Sequence, residues 1–278
     1  VTTELETAKL GAALRGLGSA LNTTGQTAEA ESAFRESLKV TRQLVEEFQE
    51  KPVYREMLGD LYRDLGHTLN ITGQTAEAEA AYREGLKIWQ QLVEEFPQKE
   101  HYREIKLGDI YRQLGHTLTK KRDCAEALAC FENALEAAPD NHWSHLVMAG
   151  FRLHASDVSF RDSEQAAQSA IRAIELNPRF SSSHHLLGKA RYRLNDWSGA
   201  IESQKKALEL GFSMDAQTCL ELAISYAHLE DRQNGAEWYA KAVTLIEKKN
   251  KQDDQWLTNL REQAEQLLES PTPQTARK

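Results

Sequence analysis

The most crowded histidines of the chain are the first candidates for chemistry, because imidazole nitrogens commonly bind zinc. His142 and His145 lie three residues apart, and His184 and His185 are adjacent. A zinc site needs three or four ligands, and no third ligand stands at a recognisable spacing from either pair. We therefore expect no metal and no other cofactor.

The three cysteines are an odd and sparse set. Cys124, Cys130 and Cys219 form no Cys-x-x-Cys pair, which argues against a disulfide framework and against a zinc site. The sequence predicts that all three are reduced residues packed between helices.

One short polar motif suggests phosphoryl transfer. Residues 62–65, Tyr-Arg-Asp-Leu, followed by Asn70, are similar to the catalytic loop of protein kinases. However, the leading His of that loop is missing, and the chain has no glycine-rich loop and no Asp-Phe-Gly. We predict no catalytic residues and a protein that is not an enzyme.

The strongest pattern in the sequence is an internal repeat. Residues 15–56 are about two-thirds identical to residues 63–104, and Leu-Gly recurs at Leu17, Leu65 and Leu114, in steps of 48 and 49 residues. A fixed period between about 20 and 50 residues indicates stacked units of secondary structure. The position of every candidate residue must therefore be derived from the repeat.

Apolar spacing predicts that each unit is a helical hairpin. In the second unit, helical periodicity runs from Tyr54 to Leu69 and again from Ala76 to Phe96, with Thr72-Gly73 as the break between them. Residues 45–60 and 93–109 make the first two units longer than the usual period. Both helices of these units are expected to be lengthened.

These residues resemble the tetratricopeptide repeat family, whose signature is Leu-Gly, a turn glycine, Ala, an aromatic residue and a closing Ala-Leu. The third unit carries it as Leu114-Gly115, Ala127, Phe131 and Ala134-Leu135. The resemblance implies an all-α fold, a right-handed superhelical solenoid of helix-turn-helix hairpins. The first two units would be lengthened and a C-terminal helix would cap the array.

The same resemblance implies the organisation of the chain. We expect lengthened repeats over residues 1–141, three further repeats over 142–246, a capping helix over 252–270 and a disordered tail over 271–278. The turn of the fourth unit is enlarged over 155–162. Trp256, Leu260 and Leu267 are expected to cover the last hairpin. Because the first residue is Val1, we expect a fragment or a processed chain.

A binding groove is a further implication of the resemblance, because the first helix of each unit lines the concave face in this family. Carried over residue by residue, the partner-binding positions are Arg15, Ser19, Asn22, Arg63, His67, Asn70, Arg112, His116, Lys120, Lys189 and Arg193. Arginine recurs in three successive units, which favours an acidic ligand, since a guanidinium group binds a carboxylate bidentately. The alternative is that these arginines pair with neighbouring Asp or Glu.

Charge and hydropathy narrow the class of partner. The net charge is −8, and residues 1–141 carry 17 Lys/Arg against 24 Asp/Glu, which disfavours nucleic acid. No apolar run approaches the roughly 20 residues of a membrane helix, and no signal-like segment is present. We expect a cytoplasmic protein with no membrane partner.

We predict a non-catalytic scaffold for protein–protein interaction that binds a peptide or a partner helix, with self-association as a further option. The alternative is a regulatory or sensor arm of a larger bacterial serine/threonine kinase or other multidomain protein. Lengthened repeats of this kind resemble arrays that follow such kinase domains.

Overall fold

The computed structural model describes residues 3–248 and 255–269. These residues form thirteen α-helices and no strand, which confirms the all-α prediction. The α-helices are α1 Glu4–Thr23, α2 Thr27–Glu47, α3 Pro52–Ile71, α4 Thr75–Glu95, α5 Gly108–Lys120, α6 Cys124–Ala137, α7 His142–His154, α8 Ser163–Leu176, α9 Ser181–Arg193, α10 Trp197–Glu209, α11 Ala216–His228, α12 Arg232–Lys248 and α13 Gln255–Glu269. A π-helical turn, Tyr102–Leu107, leads into α5, and a 3-10 turn, Val158–Phe160, precedes α8.

The helices fall into two compact units. Unit 1 comprises the described residues up to Val147 together with Ala155–Phe160, and unit 2 comprises Met148–His154 and the described residues from Arg161 onward. The division therefore falls within α7 and the enlarged turn that follows it. In unit 1 the hairpins are α1–α2, α3–α4 and α5–α6, and in unit 2 they include α9–α10 and α11–α12.

A glycine under an aromatic ring lets the two helices of each hairpin in unit 1 approach closely. A methyl group added to Gly66 would lie 2.8 Å from the ring of Tyr82, which is fully buried. No side chain fits there, so the Leu-Gly signature has a packing reason. The equivalent pairs are Gly18 with Phe34 and Gly115 with Phe131.

The predicted lengthening of the first two hairpins is confirmed. Helices α1 to α4 have 20, 21, 20 and 21 residues, whereas α9, α10 and α11 have 13 each. The added turns bury their own core, since Trp89 is 1% exposed and Tyr102 is 0% exposed, with ring centroids 5.5 Å apart. The extra length therefore adds a second packed layer to the usual hairpin.

One inserted residue explains why the second step of the repeat is 49 residues rather than 48. The interval from Tyr54 to Leu58 has one residue fewer than the equivalent interval from Tyr102 to Leu107. The helix absorbs the extra residue as the π-helical turn, in which hydrogen bonds reach one residue further than in an α-helix. This turn places Lys106 over α3, where its Nζ lies 2.8 Å from the carboxylate of Asp60.

The tight turn inside each hairpin requires a left-handed residue. Gly25 and Gly73 have φ of +81° there, a conformation that glycine adopts without a steric cost. Later hairpins place Arg122, Asn195 and Glu230 at the corresponding turn, with φ of about 60°. The backbone geometry is thus kept even where the residue type disfavours it.

Helix α13 covers the end of unit 2, as the sequence predicts. Leu257, Leu260 and Ala264 join a core cluster with Leu220 and Ile224 of α11. The prediction is wrong for Trp256, which is 50% exposed, because one residue turns a helix by about 100° and brings Leu257 to the buried side instead. Residues 252–254 and 270–278 of the predicted cap and tail lie outside the described residues.

Candidate functional site

The first helices of unit 1, α1, α3 and α5, form what we call the first-helix face. Two asparagine side chains join them at equivalent positions: the Nδ2 of Asn22 donates to the Oγ1 of Thr68, and the Nδ2 of Asn70 donates to the Oγ1 of Thr117, both at 2.7 Å. The repeat therefore carries one polar bond from each first helix to the next.

The remaining amide oxygens of this ladder have no hydrogen-bond partner in the part of the chain that the structure describes. The Oδ1 atoms of Asn22 and Asn70 and the hydroxyl of Tyr82 are all buried and unsatisfied. At the position of Tyr82, the first unit has Phe34, which offers no hydroxyl. Asn22 therefore has no hydroxyl at the place where the next unit has that of Tyr82.

A cluster of charges lies beside the asparagines. Its members are Arg15, Asp60, Arg63, Asp64, Lys106, Asp109 and Arg112, which we call the Arg–Asp cluster. Arg15 contacts Asp64 at 2.7 Å and Asp60 at 3.2 Å. Each arginine thus faces aspartates of the next unit, its own unit or both.

Arg63 stands at the centre of this cluster. Its guanidinium contacts Asp64 at 2.7 Å, Asp109 at 3.6 Å and Asp60 at 3.9 Å. Burial works against the charge of Arg63, but the three carboxylates outweigh it and raise the pKa of the guanidinium group. All its nitrogens face aspartates, so a ligand carboxylate would have to displace one of them.

The recurring arginines are accordingly paired, which was the alternative interpretation of the sequence. Arg112 contacts Asp109, and Lys106 adds a fourth cation to the three carboxylates. Arg15 uses Nε toward Asp64 and Nη1 toward Asp60, whereas Nε of Arg112 is buried and unsatisfied. The cluster is nearly neutral and ties α1, α3 and α5 together.

A cavity of about 380 Å³ opens on the first-helix face. It is lined by Ser19, Asn22, Thr23, Phe34, Arg63, Asp64, His67, Asp109 and Gln113. Four predicted binding residues from two successive units meet there: Ser19, Asn22, Arg63 and His67. Ser19 and His67 are exposed, so the lining combines neutral polar groups with the paired charges of Arg63, Asp64 and Asp109.

The other predicted residues of unit 1 lie outside this cavity. Asn70, His116 and Lys120 repeat the same face one unit further on, where Nζ of Lys120 lies 3.5 Å from the carbonyl oxygen of Asn70. His116 packs edge-on against Phe131, with ring centroids 5.5 Å apart. Arg15 and Arg112 belong to the Arg–Asp cluster.

Arg193 lies in unit 2 together with Lys189, whose assignment to a partner-binding groove stays a prediction. The side chain of Lys189 is 8% exposed on α9, next to the buried His185. Arg193 donates from Nη1 to the carbonyl oxygen of Leu153. Both cations act on the buried carboxylate of Glu221, which belongs to a polar network in unit 2.

That network is a chain of amides and one carboxylate. His185 donates from Nδ1 to Oε1 of Gln204 at 3.0 Å, and Nε2 of Gln217 donates to Glu221 at 2.7 Å. Burial lowers the pKa of His185 to about 4, and burial raises the pKa of Glu221 despite the nearby Lys189.

The histidines and cysteines considered for chemistry have packing roles. The Nε2 atoms of His145 and His184 lie 2.8 and 2.9 Å from the carbonyl oxygens of Pro139 and Pro178. All three cysteines are free and buried, and burial raises the pKa of the Cys130 and Cys219 thiols to about 11. Residues 3–248 and 255–269 contain no group of acidic, His or Cys side chains arranged to hold a metal.

Two larger cavities lie between pairs of second helices. One of about 640 Å³ runs between α2 and α4, and one of about 870 Å³ runs between α8 and α10. Both are lined by exposed Lys, Arg and Glu around a few apolar residues. They compete with the first-helix face as binding surfaces.

Sequence reasoning missed the aspartates. Asp60 and Asp109 are separated by the same 49 residues as Leu65 and Leu114, so the repeat itself marked them as equivalent. The repeat of these aspartates shows that each recurring arginine comes with a carboxylate that can pair with it. Gln113 had no comparable signal, since the preceding unit has Asp64 at its position.

No helix in the described ranges combines the length and apolar character that a membrane span needs. Sequence models of the tetratricopeptide repeat match residues 10–49 and 58–101, residues 108–141 and residues 156–213, together more than half of the chain. No curated protein matches.

Solved structures share the fold at low identity. Pseudomonas aeruginosa pilF covers 84% of this chain and 91% of its own, at 16% identity and a TM-score of 0.64. BtubC from P. vanneervenii covers 79% and 91%, at 20% identity and 0.60. YrrB, described as a TPR protein with an unusual peptide-binding site, covers 78% and 94%, at 19% identity and 0.53.

Proposed function

We propose that this chain, which belongs to the tetratricopeptide repeat family, is a non-catalytic scaffold that binds an extended peptide of a partner protein on the first-helix face of unit 1. Proteins of this family are interaction scaffolds, which supports the general role. The observation that carries the specific proposal is the 380 Å³ cavity, where Ser19, Asn22, Arg63 and His67 meet.

Asn22 is the central recognition residue in this proposal. Its Nδ2 is held by Thr68, while its Oδ1 is buried without a partner, and an unsatisfied buried acceptor costs about 1–3 kcal/mol. Every residue of an extended peptide except proline carries a backbone N–H. A ligand N–H that reaches Oδ1 while Nδ2 keeps its bond to Thr68 removes that cost.

Neutral side chains supply the remaining contacts. Ser19, His67 and Gln113 offer both donors and acceptors around the cavity. Phe34, which is 1% exposed, contributes only a small apolar part of the lining. Such a set favours a peptide backbone with a small or aromatic side chain over a strongly charged segment.

The preference for an acidic ligand stays a prediction, and the Arg–Asp cluster reduces its expected size. Four cations face three carboxylates, so a ligand carboxylate meets about one uncompensated positive charge. We expect acidic peptides to bind only a few times more tightly than matched neutral ones. The difference should disappear at high salt, since exposed pairs are screened.

The test fills the cavity without touching an ion pair. Ser19→Trp places an indole at the rim, and Ser32→Trp, on an exposed part of α2 away from the cavity, is the matched control. Peptides selected from a random array against the wild type should lose at least about tenfold in affinity for Ser19→Trp, about 1.4 kcal/mol. They should retain affinity for Ser32→Trp. Equal binding by both variants would contradict the proposal.

The alternative, a regulatory arm of a larger bacterial serine/threonine kinase or other multidomain protein, uses the same face. It predicts that the complete reading frame encodes a catalytic domain, and sequencing that frame decides it. Self-association is a separate prediction, which light scattering of the purified chain measures directly.

A further inference from the structure

The outer side of unit 1 exposes residues whose equivalents in the next unit are covered by a neighbouring hairpin. We call it the α1 edge: the outward side of α1 and the first turn of α2. Leu10 and Leu17 on this edge are 51% and 52% exposed, although the equivalent Leu58 and Leu65 of the next unit are 8% and 4% exposed. Leu65 is buried because it lies between α2 and α4. The α1 edge presents the same leucines with no helix over them.

The charges of the α1 edge show the same pattern. In unit 1 each lengthened second helix donates an arginine to the next second helix: Arg35 contacts Glu77 and Arg83 contacts Glu126, both at 2.7 Å. Glu29 occupies the corresponding position on α2. It is exposed and has no ion pair within the described residues.

A hydrogen bond is missing at the same place. Gln74 reaches back from Nε2 to Glu31 of the preceding hairpin at 2.9 Å. The side chain of its equivalent, Gln26, accepts only from Thr24 of its own turn in the described chain. Apolar, charged and amide contacts therefore all lack the partner that the repeat supplies elsewhere.

Differences between α1 and α3 define the chemistry of that partner further. At the positions of Asp60, Asp64 and Thr68, helix α1 has Ala12, Gly16 and Ala20. Those three residues of α3 receive Arg15 and Asn22 of the preceding first helix. A first helix lying beside α1 can therefore place neither an arginine nor an asparagine there without leaving it unpaired.

We propose that the α1 edge docks a further helical hairpin of the lengthened type. Its second helix resembles α2 and α4, with an apolar stripe over Leu10 and Leu17 and an arginine that binds Glu29. Its first helix carries small or apolar residues opposite Ala12, Gly16 and Ala20. A second copy of this chain does not fit, because its α2 and α4 are already covered and Arg35 and Arg83 are already paired.

The experiment adds such a hairpin to the full chain. A copy of residues 3–50, with its own Arg15 and Asn22 changed to Ala, is placed directly before Thr3, so that the 48-residue period sets the copied Arg35 opposite Glu29. Leu17→Cys reports coverage by its rate of maleimide labelling. The native cysteines are all buried and do not compete. Glu36→Cys, exposed on α2, is the control.

We expect labelling at position 17 to slow by about tenfold or more with the added hairpin, as burial worth ~1.4 kcal/mol requires. Labelling at position 36 should not change. Glu29→Arg should raise the labelling rate at position 17 about twofold to fivefold, the range of a surface ion pair. Changing the copied Arg35 to Glu in that variant should lower the rate again.

Unchanged labelling at position 17 overturns the proposal, whether circular dichroism finds the added residues helical or unfolded, because the α1 edge should order and bind them. A wild-type chain that dimerises with position 17 protected overturns it too, since the occupant is then a second copy.

Discussion

Alanine at Gly66 would place a methyl group too close to the ring of Tyr82. The added carbon would lie 2.8, 2.9 and 2.9 Å from three ring atoms, and the ring is fully buried with no space to leave. Ordinary contact begins near 3.4 Å, so α3 and α4 must separate by several tenths of an ångström. Overpacking of this kind costs about 1–3 kcal/mol.

Part of that cost is offset by helix propensity, because Ala is better than Gly by about 1 kcal/mol inside a helix. The difference between these two terms is a destabilisation of unit 1 by ~0–2 kcal/mol for Gly66→Ala. Gly16→Ala is the matched control: Gly16 lies within α1, and a methyl group there would meet nothing within 4 Å. It should stabilise the protein by up to about 1 kcal/mol.

Native-state hydrogen exchange of the amides of α3 and α4, with urea titration followed by circular dichroism, measures both effects. Repeat arrays unfold in parts, so the local opening free energy is the relevant quantity. If Gly66→Ala is as stable as Gly16→Ala, the close approach of glycine and ring does not set the spacing of the hairpin. If both variants shift in the same direction, propensity alone explains them.

Three other changes test unit 2 and the turns. Glu221→Gln should stabilise unit 2 at pH 7. A raised pKa means that the folded state favours the protonated carboxyl, so this contribution to stability is present below about pH 4.5 and is lost as pH rises through the folded pKa. Urea titrations of the wild type and the variant should therefore differ at pH 7 and agree at pH 4. Glu230→Gly should raise stability by about 1 kcal/mol, because φ of 60° is strained for Glu, and thermal denaturation measures it; a lower melting temperature would contradict this. Deleting residues from 253 onward removes α13 and uncovers Leu220 and Ile224, so light scattering should detect aggregation, whereas a monomer with the wild-type melting temperature would refute the capping role.

The repeat made most of the fold predictable. The repeat period, the Leu-Gly pair and the aromatic residue specify how the two helices of a hairpin pack against each other. The lengthening of α1 to α4 followed from the extra residues 45–60 and 93–109. These features are local, since each depends on residues within one hairpin or its immediate neighbour.

The site was less predictable because it depends on how side chains of successive helices meet. Arg63 recurs with the repeat, but whether it faces solvent or Asp109 depends on a register that the π-helical turn changes by one residue. Likewise, the burial of Lys189 depends on the polar network of unit 2. Leu257 is buried in place of Trp256 because neighbouring residues point to different sides of a helix. A resemblance to a family transfers positions, not the partners that a particular chain places beside them.

The central claim is that an extended peptide binds on the first-helix face rather than between the second helices. The most direct measurement is photo-cross-linking of a selected peptide that carries a benzophenone residue, with the attached residues identified by mass spectrometry. We expect cross-links around Ser19, His67 and Gln113 of α1, α3 and α5. Cross-links confined to the cavities between α2 and α4 or between α8 and α10 would contradict it.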